Sequence, residues 1–241
     1  GLKQLKEIAQ FSLVFSLALL PVAALPLLLH LQQPTRAMGP LLTPHFTSAI
    51  AAFGIVFTAY ALIVLSEIWF VYRKYFVEQV HALKDQPGLA TAMRRTVYRI
   101  LTIGAYDIDA DAIRVDKKAA TVLAAIGIPV ACFLHGYAGF IFGSVKANAL
   151  WMSPLMPVIF IMSAVVSGIA LCMLTYIVIR EWQAFRSRRK GGVIEASQIK
   201  GAETHVIDIA TRYLIGFLVA AISLELLDLI FRGYTAMKSW D

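Results

Sequence analysis

Glu225 and Asp228 stand three residues apart in the last apolar run of this sequence, with Arg232 four residues beyond Asp228. His135 and Tyr137 lie in an earlier apolar run, and Trp151 and Ser153 open the one between. Inside a bilayer an ionisable group costs about 2.5–3.5 kcal/mol on insertion scales, so groups kept there point to function. Donors that reach two carbonyl oxygens, with a carboxylate or imidazole that moves two protons, suit a quinone headgroup. The expected catalytic set is Glu225, with Asp228 in support, and His135; the expected quinone-binding set is His135, Tyr137, Trp151, Ser153 and Glu225. Glu225 leads because no residue at helical spacing in its own run can neutralise it. Plainer readings stand beside these. His135 also suits a packing residue bonded to a neighbouring carbonyl, Asp228 suits an i,i+4 pair with Arg232, and His30 suits the end of its run.

A second polar set lies toward the other side. Glu67 and Arg212 fall at similar depth, about 11–12 Å from the centres of their runs at about 1.5 Å per residue. They fit first a pair that orients two helices, and beside that a proton path that Tyr60, Ser163, Ser167 and Tyr176 would extend. Ser163, Ala164, Ser167 and Gly168 also have the spacing of a close helix-packing stripe.

The elements that must hold these residues are helices. Five apolar runs, at 9–31, 47–72, 119–141, 151–179 and 209–231, each match the roughly 20 residues that cross a hydrocarbon core about 30 Å thick. A backbone in lipid must satisfy its own hydrogen bonds, which leaves helices as the reading for such runs. The expected fold is all-α, a polytopic bundle of five transmembrane helices forming a single membrane domain over 1–241. Two long basic loops, 73–118 and 180–208, and two short connections, 32–46 and 142–150, join them.

Charge sets the expected orientation. The long segments hold Arg73, Lys74, Lys84, Arg94, Arg95, Arg99, Arg114, Lys117, Lys118, Arg180, Arg186, Arg188, Arg189, Lys190 and Lys200, against Arg36 and Lys146 in the short ones. Basic loops stay in the cytoplasm. His135, Tyr137 and Glu225 then fall roughly 7–10 Å outward of their helix centres. In the first long segment, Leu89, Met93, Val97 and Ile100 recur at helical spacing beside Arg94, Arg95 and Arg99, as in a helix on an anionic leaflet.

Composition excludes other classes. The 241 residues are 59% hydrophobic and 15% charged, with a mean hydropathy of +0.71, whereas soluble domains carry about a quarter charged residues. The net charge of +7 is a topology signal; without interleaved basic and aromatic residues no nucleic-acid partner is expected. Cys132 and Cys172 have no metal-ligand spacing, so neither a disulfide framework nor a metal centre is expected. A haem cytochrome needs facing pairs of intramembrane histidines, and a transporter of inverted repeats needs a midplane site; these remain the alternatives.

The run 134–170, LHGYAGFIFGSVKANALWMSPLMPVIFIMSAVVSGIA, resembles the NrfD/PsrC family of quinone-interacting membrane subunits. The resemblance rests on the His135 helix end, Leu150-Trp151, Ser153-Pro154-Leu155-Met156-Pro157 and the Ser163-Ala164…Ser167-Gly168 stripe. Within the family it is most similar to the branch found in sulfur-metabolism complexes. The resemblance implies a subunit without haem or metal of its own in a bacterial or archaeal inner membrane. It also implies menaquinone or ubiquinone as substrate, a periplasmic ferredoxin-like iron–sulfur partner, and other subunits of a membrane redox complex. Members have eight to ten helices, so the five expected here imply part of a longer subunit.

Overall fold

The structure, a computed structural model, describes residues 2–30, 39–43, 45, 47–84, 86–144, 152–189 and 193–238. Among them every regular element is helical: α1 (Leu2–His30), α2 (Gly39–Leu42), α3 (Ala49–Ala82), α4 (Leu89–Leu101), α5 (Ala110–Gly143), α6 (Met156–Arg189) and α7 (Val193–Lys238). Trp151 and most of the 32–46 and 142–150 connections lie outside the described residues, as does the side chain of His30.

Among the described residues four helical stretches are long and apolar enough to cross a membrane: Ala49–Ala82, Ala110–Gly143, Met156–Ser187 and Ile207–Thr235. The fifth expected crossing falls on α1, whose described apolar stretch, Ala9–Ala23, is shorter than a full span. Leu62, Leu174, Val178, Leu229 and Ile230 are all more than half exposed. So much bare apolar surface would be untenable in water and suits lipid or neighbouring helices.

The helices outrun the apolar runs that announce them. The loops expected at 73–118 and 180–208 are for the most part helical: α3 continues to Ala82, α5 already begins at Ala110, α6 runs to Arg189 and α7 starts at Val193. The hydrogen-bond ladder does not stop where lipid stops, and charged residues such as Lys, Arg and Glu are good helix formers. Pro129 sits inside α5 without ending it.

The chain forms two compact units, Ser16–Ala131 and Gly1–Phe15 with Cys132–Asp241. In the first, Arg73 of α3 and Asp116 of α5 are both buried and paired at 2.7 Å. Arg73 Nε donates to both carboxylate oxygens, and its Nη1 donates to the Asp107 carbonyl at 2.6 Å. One guanidinium thereby fixes the start of α5 and the segment leading into it. Trp69 Nε1 donates to the Leu101 carbonyl at 2.8 Å, and Tyr98 meets Tyr75 and Phe76 with ring centroids 6.0 and 6.2 Å apart. These contacts run in reverse order along the two helices, so α4 doubles back antiparallel to α3, as a short link requires. Hydrogen bonding with Tyr75, and then with Arg94, holds the Tyr98 phenol below its ordinary range. The opposite face of α4 bears Leu89, Met93, Val97 and Ile100, all exposed.

In the second unit α6 and α7 form the broadest pairing among the described helices, and α5 meets the start of α6 through its glycines.

Candidate functional site

Asp228 on α7 is fully buried, and Ser153, just before α6, is 4% exposed. The Ser153 hydroxyl donates to Asp228 Oδ1, while Arg232, one turn further along α7, donates through Nη2 to Oδ2. Both carboxylate oxygens are thus met by donors from different elements. A buried carboxylate left bare would be costly; paired and hydrogen-bonded, it persists.

Local sequence explains how Ser153 reaches it. Ser153 precedes Pro154, and its Oγ accepts from the Leu155 N–H at 3.2 Å while its carbonyl accepts from Met156 N–H at 3.3 Å. The hydroxyl hydrogen is left to point at α7. Pro157 stands at the second residue of α6, where a missing N–H goes unnoticed. α6 therefore begins at Met156, later than the expected 151, and Ser153 acts from the turn before the helix.

α5 is brought to this turn by glycine. A Cβ on Gly139 would stand 2.6 Å from the Met156 carbonyl oxygen and 2.7 Å from Pro157 Cα; one on Gly143 would stand 2.9 Å from the Ser153 carbonyl oxygen. Only hydrogen fits there. Gly136 is also close, with Ile161 Cδ1 at 3.2 Å from its would-be Cβ. Sequence reasoning missed this contact, though the Gly139-x-x-x-Gly143 spacing is a known signal of close helix approach. The stripe it favoured instead is open: Ser163, Ser167 and Gly168 are exposed, Ser167 turns its hydroxyl onto the Ser163 carbonyl at 2.8 Å, and nothing stands within 4 Å of a Cβ on Gly168.

The other expected residues are placed as follows. His135 lies on an exposed face of α5 and Glu225 on an exposed face of α7. Tyr137 is half-buried within an aromatic row on α5, its centroid 5.8 Å from Phe133 and 6.0 Å from Phe140. Asp228, ranked behind Glu225 from sequence, is the buried carboxylate, and the i,i+4 pair with Arg232 is present. Glu67 is half-buried on α3. Arg212 is exposed and pairs along its own helix with Asp208 at 3.1 Å, a neighbour one turn away whose carboxylate needs no second helix to reach it. Among the described residues no cluster of three His, Cys, Asp or Glu side chains could hold a metal ion.

A family model described as polysulphide reductase, NrfD, matches residues 2–236. A selenate reductase subunit of Mesobacillus selenatarsenatis is 31% identical over 182 residues, 73% of this chain. The match spans only 41% of that relative's length. No solved structure matches.

Proposed function

The chain belongs to the polysulphide reductase NrfD family, and on that premise we propose that this multi-pass membrane protein is the quinone-interacting subunit of a respiratory or sulfur-metabolising reductase complex. It exchanges two electrons and two protons per headgroup with menaquinone or ubiquinone in a bacterial or archaeal inner membrane. The electrons pass to or from an iron–sulfur subunit on the periplasmic face. Similarity to a selenate reductase subunit supports membership of a multi-subunit reductase.

The observation that carries the reading is the buried carboxylate of Asp228 between Ser153 and Arg232, in the outer part of the α7 crossing. Such a group has a use beyond anchoring: it orients neighbouring donors in a region of low dielectric where hydrogen bonds are strong. Glu225, one turn earlier on an exposed face, serves as proton donor or acceptor, and His135 and Tyr137 hold the carbonyl oxygens of the headgroup. Ser153 stands beside the buried carboxylate, and Trp151, which lies outside the described residues, belongs to the same proposed quinone-binding set. Glu67 and Arg212 supply the cytoplasmic end of a proton path.

A photoreactive quinone analogue, added to the purified complex, tests the site. Labelling is expected in the peptides that contain 133–140 or 222–232. Labelling confined to the basic half of α3 or α6 would place the headgroup elsewhere and overturn the assignment.

A further inference from the structure

At the basic end of α3 and α5, Phe70, Val115, Lys118, Ala119, Val122 and Leu123 line a groove of about 560 Å³. The α5 members recur at i, i+3, i+4, i+7 and i+8, one face of a helix. Every wall is apolar except for the ammonium of Lys118. Arg114 lies one turn before Lys118 on that side and Lys117 adjoins it; both are exposed. The ion pair of Arg114 with Asp111, at 3.4 Å, joins two side chains that are 82% and 91% exposed, and such pairs hold their cation loosely. Asp116, the carboxylate next to these cations in sequence, is turned inward and occupied by Arg73, so it does not offset their charge.

Depth decides what fits. The apolar run of α3 ends at 72 and that of α5 begins at 119, so Lys118 stands at the boundary while Ala119, Val122 and Leu123 face hydrocarbon. Val122 is about 6 Å deeper than Lys118 along the helix. Water in the deeper part would find no polar partner. An acyl chain fills it, and an anionic headgroup meets the cations above it.

We propose that this groove binds one anionic phospholipid of the cytoplasmic leaflet, with an acyl chain along Phe70, Ala119 and Val122 and the phosphate on Lys118. Arg114 and Lys117 add positive charge at headgroup level. The site rests on the membrane reading of α3 and α5 and is independent of the quinone assignment.

Native mass spectrometry of the full chain in its purified complex tests this, with phosphatidylglycerol as probe and phosphatidylcholine and glycerol phosphate as comparisons. One phosphatidylglycerol is expected to stay bound where phosphatidylcholine is lost and glycerol phosphate does not compete. Lys118→Glu should weaken its affinity about 30-fold, at roughly 1 kcal/mol for each charge removed or reversed. Val122→Trp should expel the lipid with every cation intact, and quinone turnover should persist in both variants. Equal retention of phosphatidylcholine, competition by glycerol phosphate, or lipid retained in both variants would overturn the proposal.

Discussion

The hydroxyl of Ser153 donates to the carboxylate of Asp228 across 75 positions of chain. It ties the turn before α6 to α7, and Arg232 closes the other oxygen of the same carboxylate. Three residues from one helix and one turn thereby share one charge, and each depends on the others.

Asp228→Ala should leave the Arg232 guanidinium without its carboxylate, and the cost is expected at about 3 kcal/mol, the lower end for a broken buried pair, because 26% of the Arg232 side chain is exposed. Ser153→Ala, which loses one hydrogen bond to a charged group, should cost about 1.5–3 kcal/mol. The double variant Asp228→Ala with Arg232→Ala should cost less than the sum of the two single variants. Denaturant unfolding in detergent measures all of these, and simple additivity would show that the triad is not coupled.

Glu225→Gln should slow quinone turnover by a factor of about 10²–10⁴ if this carboxyl is a general acid or base. Insertion into the membrane should be unchanged, because a neutral amide is easier to place in lipid. His135→Ala should weaken binding of a quinone analogue as well as turnover. Full activity in Glu225→Gln would remove Glu225 from the proton chemistry and leave Asp228 as the carboxyl to examine.

Gly139→Ala should separate α5 from the start of α6, since its Cβ would lie 2.6 Å from a backbone oxygen that cannot move aside alone. The expected loss is about 1–3 kcal/mol from overpacking. Gly168→Ala, where the space is open, should be neutral or stabilising by up to about 1 kcal/mol through helix propensity. Thermal unfolding of the two variants side by side should separate them; equal behaviour would mean that the close approach is absent.

Glu67→Gln should reduce proton uptake from the cytoplasmic side while leaving quinone-analogue binding intact. Arg212→Gln should do the same only if Arg212 contributes beyond its surface pair with Asp208, which is worth little by itself. Uptake followed with a pH-sensitive dye in vesicles decides both, and an unchanged rate in Glu67→Gln would end the path assignment.

A single cysteine placed at Asn148, after Cys132 and Cys172 are replaced by Ala, should react with an impermeant reagent added outside. One placed at Gln86, in the link between α3 and α4, should react only after permeabilisation. The reverse pattern would invert the molecule and put the Asp228 centre on the cytoplasmic side.

Membrane spanning and helicity were legible in the sequence itself. Long apolar runs admit one backbone solution in lipid, and their length against the bilayer thickness is a local property that needs no knowledge of neighbours. The i,i+4 pair of Asp228 with Arg232 was legible for the same reason. Helix ends were not: Ala82 and Ala110 lie beyond the lipid boundary, where hydropathy is silent and the ladder continues through charged residues. Nor could the sequence say that Asp116 waits for Arg73, 43 residues away, or that Asp228 and not Glu225 faces inward. In water a helix marks its buried side by an apolar stripe. In lipid nearly every side of α6 and α7 is apolar, so the pattern names no face, and contact is settled by where small residues let backbones approach. Gly139 and Gly143 bring α5 against the turn at Ser153, while Gly168, of the same residue type, meets open space; only the tertiary arrangement distinguishes them.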